Sequence, residues 1–335
     1  MRRNLLILLA VVLAAAALLA RPSSPGFLLG GIQVNEPDHA HWMERLKASR
    51  MNTVSVTVYA KQGDWDSANL WWEDEEPWVV SEMRSAREAG LETALVLRVA
   101  LDHAFERNKF FWHGMIMPST DEALEEWFRR YRLFALEWAG IAEREGVAVL
   151  GIGSEMNALA STVPVEELPV LEEYWTNAEK VARENDKLLR HGEGVEQHHL
   201  SVRGFDESET LDTHLDERSL AHAAWARQVS FLDHDDHLDR INARRRRIER
   251  FWRELIADIR GVYGGRLTYA ANFDQHEMVT FWGDLDSIAI NAYVPLRRFW
   301  QPGTTATGLY PAFEARWEAI LRSIRDFTLH NGWGE

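Results

Sequence analysis

Glu155 and Asn157 stand two residues apart where an apolar, largely β-branched run, residues 147–152, gives out into Gly153-Ser154. A run that short and uninterrupted reads as a strand buried on both faces. A carboxylate delivered at the C-terminal end of such a strand is how a parallel barrel presents a general acid or base to a substrate. Other strand ends carry groups of the same kind. Asp102 and His103 follow residues 93–100, Asn272 and Asp274 follow 266–271, Asn291 and Tyr293 follow 285–290, and Lys61 sits just past 53–59. Any single Asn or Asp there could be a turn residue. Four successive strand ends furnished in this way point to one rim lined for chemistry.

The elements that must position these residues follow a βα rhythm. Residues 27–34 read as a first strand, and 38–48 as a helix with Trp42, Met43 and Leu46 on one side. In 53–59, Val54, Val56 and Val58 alternate with small polar residues, which is a strand pattern. A Trp-rich acidic loop leads through Pro77 at a helix start into 78–89, which Gly90 stops. The third strand is 93–100. Ser119 and Glu122 form a capping pattern before a long helix in which Leu124, Trp127, Phe128, Tyr131, Ala135, Trp138 and Ala142 repeat at helical spacing. These aromatics belong against the sheet and not in a site. The fourth strand, 147–152, follows Gly146 directly. Strand and helix in alternation with short connections define a parallel sheet.

After Leu159 the rhythm breaks. Residues 161–244 are highly charged, rich in His and poor in strand signal, and read as a helical insertion in the loop that leaves the fourth strand. His234-Asp235-Asp236-His237 and His198-His199 lack the paired spacing of metal ligands and read as solvated surface; no metal or cofactor is expected. Arg244 to Arg247 read as part of a salt-bridged solvent face, with Glu249 and Glu254 four residues after Arg245 and Arg250. An amphipathic helix resumes at 251–263, strands five and six are 266–271 and 285–290, and 311–330 is a last helix. The block from 245 to 335 thus holds the fifth and sixth units, and 26–160 the first four.

Bulk properties narrow the partners. The chain has 335 residues, 46% of them hydrophobic, enough for a large core. A net charge of −15 argues against a nucleic-acid partner. Cysteine is absent, which removes disulfides and thiol chemistry. Met1-Arg2-Arg3-Asn4 followed by the charge-free run 5–20 and the breaker 21–26 reads as a signal peptide or signal anchor, so export and possible membrane anchoring are expected. The oligomeric state is not legible.

Three segments carry a specific resemblance: LGIGSEMN at 150–157, LTYAANFDQ at 267–275 and LDSIAINAYVPL at 285–296, after strands four, five and six. They resemble glycoside hydrolase family 113, endo-β-mannanase-like enzymes of a retaining clan built on (β/α)8 barrels. The resemblance covers residues 26–159 and 251 onward, with the inserted block outside it. It implies a TIM-type α/β barrel of which about six βα units are present, and an oligo- or polysaccharide substrate of β-linked, mannan-like hexose. It implies Glu155 as general acid/base, Tyr293 as the aromatic that orients the nucleophile, and Asn272 in the sugar site. Lys61, Asp102, His103, Asn157, Asp274 and Asn291 join as substrate-binding candidates, with Trp112, Trp300 and the Trp71-Trp72 loop as sugar platforms.

Two departures from the family pattern stand out. Ser154 occupies the place before the acid/base where many clan members carry Asn; Asn157 is the nearby amide. The nucleophile of the clan is a Glu ending a seventh strand, and this chain supplies six, so a fragment or a degenerate relative is expected. A retaining pair needs carboxyl groups about 5–5.5 Å apart, and Asp102 or Asp274 could serve only at an inverting spacing of roughly 6.5–9.5 Å. For Glu155 to act as the acid, an apolar wall and its partner's charge would have to raise its pKa. The alternative is a non-catalytic, exported glycan-binding protein. An open barrel should also expose two sheet edges and an apolar interior, and so make the isolated chain prone to self-association.

Overall fold

Val54, Val56 and Val58 are fully buried while Ser55, Thr57 and Tyr59 between them are only partly so. That period of two gives β2 (Thr53–Gln62) one face for helices and one for the inside of a curved sheet. The computed structural model describes residues 28–32, 38–72, 76–160, 173, 177–182, 211–294 and 306–332. The leader, His198, His199 and Trp300 lie outside them.

The other strands are β1 (Gly30–Ile32), β3 (Leu70–Trp71), β4 (Glu92–Leu101), β5 (Val149–Ser154), β6 (Arg266–Asn272) and β7 (Ala289–Asn291). Six of them run parallel in the order β1-β2-β4-β5-β6-β7, and β3 adds an antiparallel ladder to β2. Sequence order equals spatial order, the arrangement of a barrel wall in which each strand is laid beside the last. This curled parallel sheet with helices on its convex side is part of a TIM-type barrel.

The helices are α1 (His39–Ala48), α2 (Glu76–Glu88), α3 (Asp121–Glu145), the single turn α4 (Asn157–Ala160), α5 (Leu211–Ser230), α6 (His237–Arg260) and α7 (Ala306–His330). The capping residue of α3 is Thr120, whose hydroxyl accepts from Ala123 N–H, rather than Ser119. Gly146 ends the helix at φ 71°, a left-handed conformation in which glycine carries no Cβ penalty. On α3, Trp127, Tyr131, Phe134 and Trp138 are buried against the sheet. Their polar atoms reach it too: Trp127 Nε1 donates to Gln62 Oε1 at 2.8 Å and Tyr131 OH to Ile152 O at 2.8 Å. Trp252 of α6 is the other keystone, stacked on Phe281 at 5.0 Å with its Nε1 donating to Leu159 O at 2.7 Å.

Several elements are longer, or start elsewhere, than periodicity suggests. β2 runs on through Lys61, which is therefore a strand residue and not a loop residue. α6 begins at His237, well before residue 251: Arg244 in its first half lies over Phe231, just beyond α5, and Trp252 in its second half packs on Tyr269 of β6. Within that first half Arg244 is not part of a solvent face. It is 3% exposed, lies 4.2 Å from the Phe231 ring centroid and donates to Ser119 O at 2.7 Å. Glu249 pairs with Arg253 at 3.0 Å. β7 forms only over Ala289–Asn291, shorter than the 285–290 reading, since Asp286 donates its N–H to Leu267 O and accepts the Leu267 N–H on its carboxylate, and Ser287 O accepts from the Thr268 hydroxyl.

α5 lies across the loops that leave β2 and β4. His222 Nε2 donates to Phe110 O and Trp225 Nε1 to Met115 O, both at 2.8 Å, and Gln228 reaches Asp66. Part of the insertion thus forms a wall on the rim that carries the candidate residues. Among the described residues no helix is long and apolar enough to cross a membrane, and no group of three or more His, Asp or Glu could hold a metal ion.

Candidate active site

Glu155 owes its position to a fault in the ladder. Between the pairs Gly151↔Thr268 and Ser154↔Ala270, β5 advances three residues and β6 two, so β5 carries one extra residue, a β-bulge. Directly after it Glu155 adopts φ 51°, left-handed backbone that a non-glycine residue occupies only when its surroundings enforce it. The enforcement is visible. Glu155 N–H donates to Ala270 O at 2.9 Å and Met156 N–H to the Tyr269 hydroxyl at 2.9 Å. Gly153 makes room for the bend: a Cβ there would lie 2.5 Å from Met156 Cε and 3.0–3.1 Å from the Tyr269 and Trp252 rings.

Glu155 is 5% exposed, and the neighbours of its side chain come from three elements. Arg98 of β4 places Nη2 2.5 Å from Oε2, and His113, from the loop after β4, places Nε2 3.2 Å from the same oxygen. Asn291 of β7 hydrogen-bonds the carboxylate and also donates to Ser154 Oγ at 3.3 Å. Burial alone pushes the Glu155 pKa up. The His113 and Asn291 hydrogen bonds and the charges of Arg98 and His113 outweigh it, so the net result lies below the ordinary glutamate value. This is opposite to the raised pKa that an acid role calls for, and the cause is the hydrogen bonds from His113 and Asn291 together with the Arg98 charge, in place of an apolar wall. Tyr269, buried beside it, is pushed up by burial, with the Glu155 charge adding to the effect.

Of the residues picked out from sequence, the structure therefore brings Glu155 and Asn291 together. Lys61 is exposed on the concave side, two residue pairs beyond the Tyr59↔Arg98 rung. Trp112 sets its ring edge-on to His113 at 5.0 Å, next to the cluster. Asn157 opens α4 and is half-buried. The remainder do local work. The Asp102 carboxylate accepts from Ala104 N–H, His103 Nδ1 contacts Asn108 O, and the Asn272 amide oxygen accepts from Phe273 N–H. Asp274 lines a groove against α7 with Trp317 and Ile320, outside the barrel wall. Tyr293 is 67% exposed. Trp72 turns its Nε1 to Glu137 and its ring to Phe134 on α3, away from the concave side.

Arg98 and His113 escaped the sequence reading. Arg98 had a signal: it is the one charge inside the alternating run Leu95, Leu97, Val99 and must face the inside of the sheet. His113 sits in an irregular loop with no periodicity to place it. Ser154, known from sequence only as a departure from the family, is the residue that holds the Asn291 amide.

A curled parallel sheet with a buried carboxylate at a strand end and its ligands gathered from other strand ends defines the class: a (β/α)-barrel protein with its site at the C-terminal rim. The sequence matches Glycoside Hydrolase Family 113 over residues 31–164 and 236–328, and the chain belongs to that family. The intervening stretch, 165–235, falls outside the match. Among solved structures it is similar to the GH113 β-mannanase AaManA from Alicyclobacillus acidocaldarius in complex with ManMIm, at 17% identity and a TM-score of 0.52, over 92% of this chain and 68% of that one. A GH113 β-1,4-mannanase is also similar, at 17% identity and a TM-score of 0.49, over 88% of this chain and 68% of that one. No curated protein matches.

Proposed function

We propose that the chain is the body of a retaining glycosidase acting on β-linked, mannan-like hexosan, with Glu155 as general acid/base. The observation that supports this reading best is Glu155 itself. A carboxylate in left-handed backbone, after a bulge, at the C-terminal end of a parallel strand and 5% exposed, carries backbone strain of the kind that gathers at functional sites. Family membership supports the reaction class, and the similarity to a structure described as a β-mannanase supports a mannan-like substrate.

A retaining mechanism needs a second carboxyl group about 5–5.5 Å away. Among the described residues, Arg98 and His113 have no carboxylate partner but Glu155, so on this reading the nucleophile comes from elsewhere. The test is hydrolysis of β-1,4-linked manno-oligosaccharides, by this chain and by one extended through any downstream coding sequence. Glu155→Gln should lower the rate by about 10²–10⁴. An unchanged rate would sink the assignment.

The Arg98–Glu155 ion pair favours a second reading, a glycan-binding protein without turnover, because a carboxylate so paired is a poor acid. Calorimetric binding of the oligosaccharides with no reducing ends released would select it. The basic and apolar leader supports export in either case, and recovery of the protein solely from the cytosol of fractionated cells would refute that.

A further inference from the structure

We propose that Arg98 is the positioning residue of this site: from the concave face of β4 its guanidinium clamps Oε2 of Glu155, and His113 closes on the same oxygen. The inference deepens the reading of Glu155 as acid/base. An arginine on the inner face of a barrel strand, flanked by the buried Leu97 and Val99 on the outer face, cannot turn to solvent on the helix side. Its nearest charge is the Glu155 carboxylate at 2.5 Å, and His113 Nε2 lies 3.4 Å from the same guanidinium nitrogen.

The groups facing Glu155 are Arg98 from β4, His113 from the following loop, Asn291 from β7, with Ser154 beside it, and Tyr269 from β6. Arg98 supplies a permanent charge, since guanidinium does not titrate in the working range. The hydrogen bonds from His113 and the Asn291 amide favour the ionised carboxylate as well, and Arg98 adds to them a charge that does not titrate. Arg98 therefore keeps Glu155 an ionised, oriented carboxylate in the resting site. A second anion that drew the guanidinium away from Oε2 would favour the protonated form of Glu155.

The test is a titration of the Glu155 carboxyl carbon in the full chain, followed by NMR after carbon-13 labelling, with Glu155→Gln identifying the signal. Wild-type protein should titrate below the ordinary value near 4.5. Arg98→Met should raise the midpoint by about one unit or more, a tenfold or larger rise in proton affinity, as loss of an adjacent opposite charge requires. Arg98→Lys, which keeps a charge but not the fork, should give a smaller rise. A wild-type midpoint at or above 4.5, or an unmoved midpoint in a folded Arg98→Met protein, overturns the proposal. If Arg98→Met does not fold, the wild-type midpoint and Arg98→Lys decide it. No turnover is needed, so this result is separate from the hydrolysis test of Glu155.

Discussion

At the scale of single residues, the site combines strain and charge. Glu155 sits in left-handed backbone because Gly153 permits the bend and Ala270 and Tyr269 take up the freed N–H groups. Gly153→Ala should cost about 1–3 kcal/mol, because the new methyl meets two rings that cannot swing away. Chemical denaturation measures this cost, and a loss of activity larger than that of stability would show that Glu155 has moved. The charge makes a separate prediction. Glu155 titrates lower in the fold than in the unfolded chain, so its stabilisation is present above the ordinary carboxylate value and is lost as pH falls through the folded one. Melting temperatures taken from pH 6 to pH 3 should therefore fall more steeply for wild type than for Glu155→Gln. Parallel curves would mean that the ion pair contributes nothing.

Elements carry the next layer. α5 is held on the rim by His222, whose pKa burial, assisted by the Arg218 charge, pushes down to about 4 from 6.5 against a raising hydrogen bond to Phe110 O. A depressed histidine stabilises the fold above 6.5, and the effect is lost as pH drops toward 4, because the unfolded or undocked form takes the proton first. Hydrogen exchange in 211–230 should accelerate across that window, and His222→Gln should flatten the response. Exchange that is independent of pH, after correction for the intrinsic rate, would contradict it. α6 is held differently, by Trp252, which is fully buried and bonded through Nε1. Trp252→Ala should cost about 3–5 kcal/mol in equilibrium unfolding, and much less would imply that the core collapses around the gap.

For the molecule as a whole, the open sheet is the salient feature. β1 and β7 each have one paired side among the described residues, and Ile32 on β1 is 64% exposed. The concave face is mixed and not wholly apolar: Ser55, Thr57, Tyr59 and Arg98 share it with Ala94, Val96 and Ala100. Its polar character reduces the drive to associate, whereas the strand edges keep theirs. Light scattering should show concentration-dependent association that Ile32→Lys weakens, since a charge on an edge strand discourages pairing. Association indifferent to that change would place the contact elsewhere.

The sequence by itself determined the βα order, the strand that ends in Glu155, the aromatic face of α3 and the family, since periods of two and of 3.6 residues and three strand-end motifs are local properties. It did not determine which rim residues meet. Asp102, Asn272 and Asp274 share the rim signature of Glu155, yet they satisfy neighbouring backbone groups or face α7. Only the tertiary structure could sort them, because contact across a sheet depends on register, and one extra residue in β5 redirects every side chain after it. Arg98 shows the same limit. Its inward direction is legible from alternation, but its partner is not, since 57 residues separate it from Glu155 and only the curl of the sheet closes the gap.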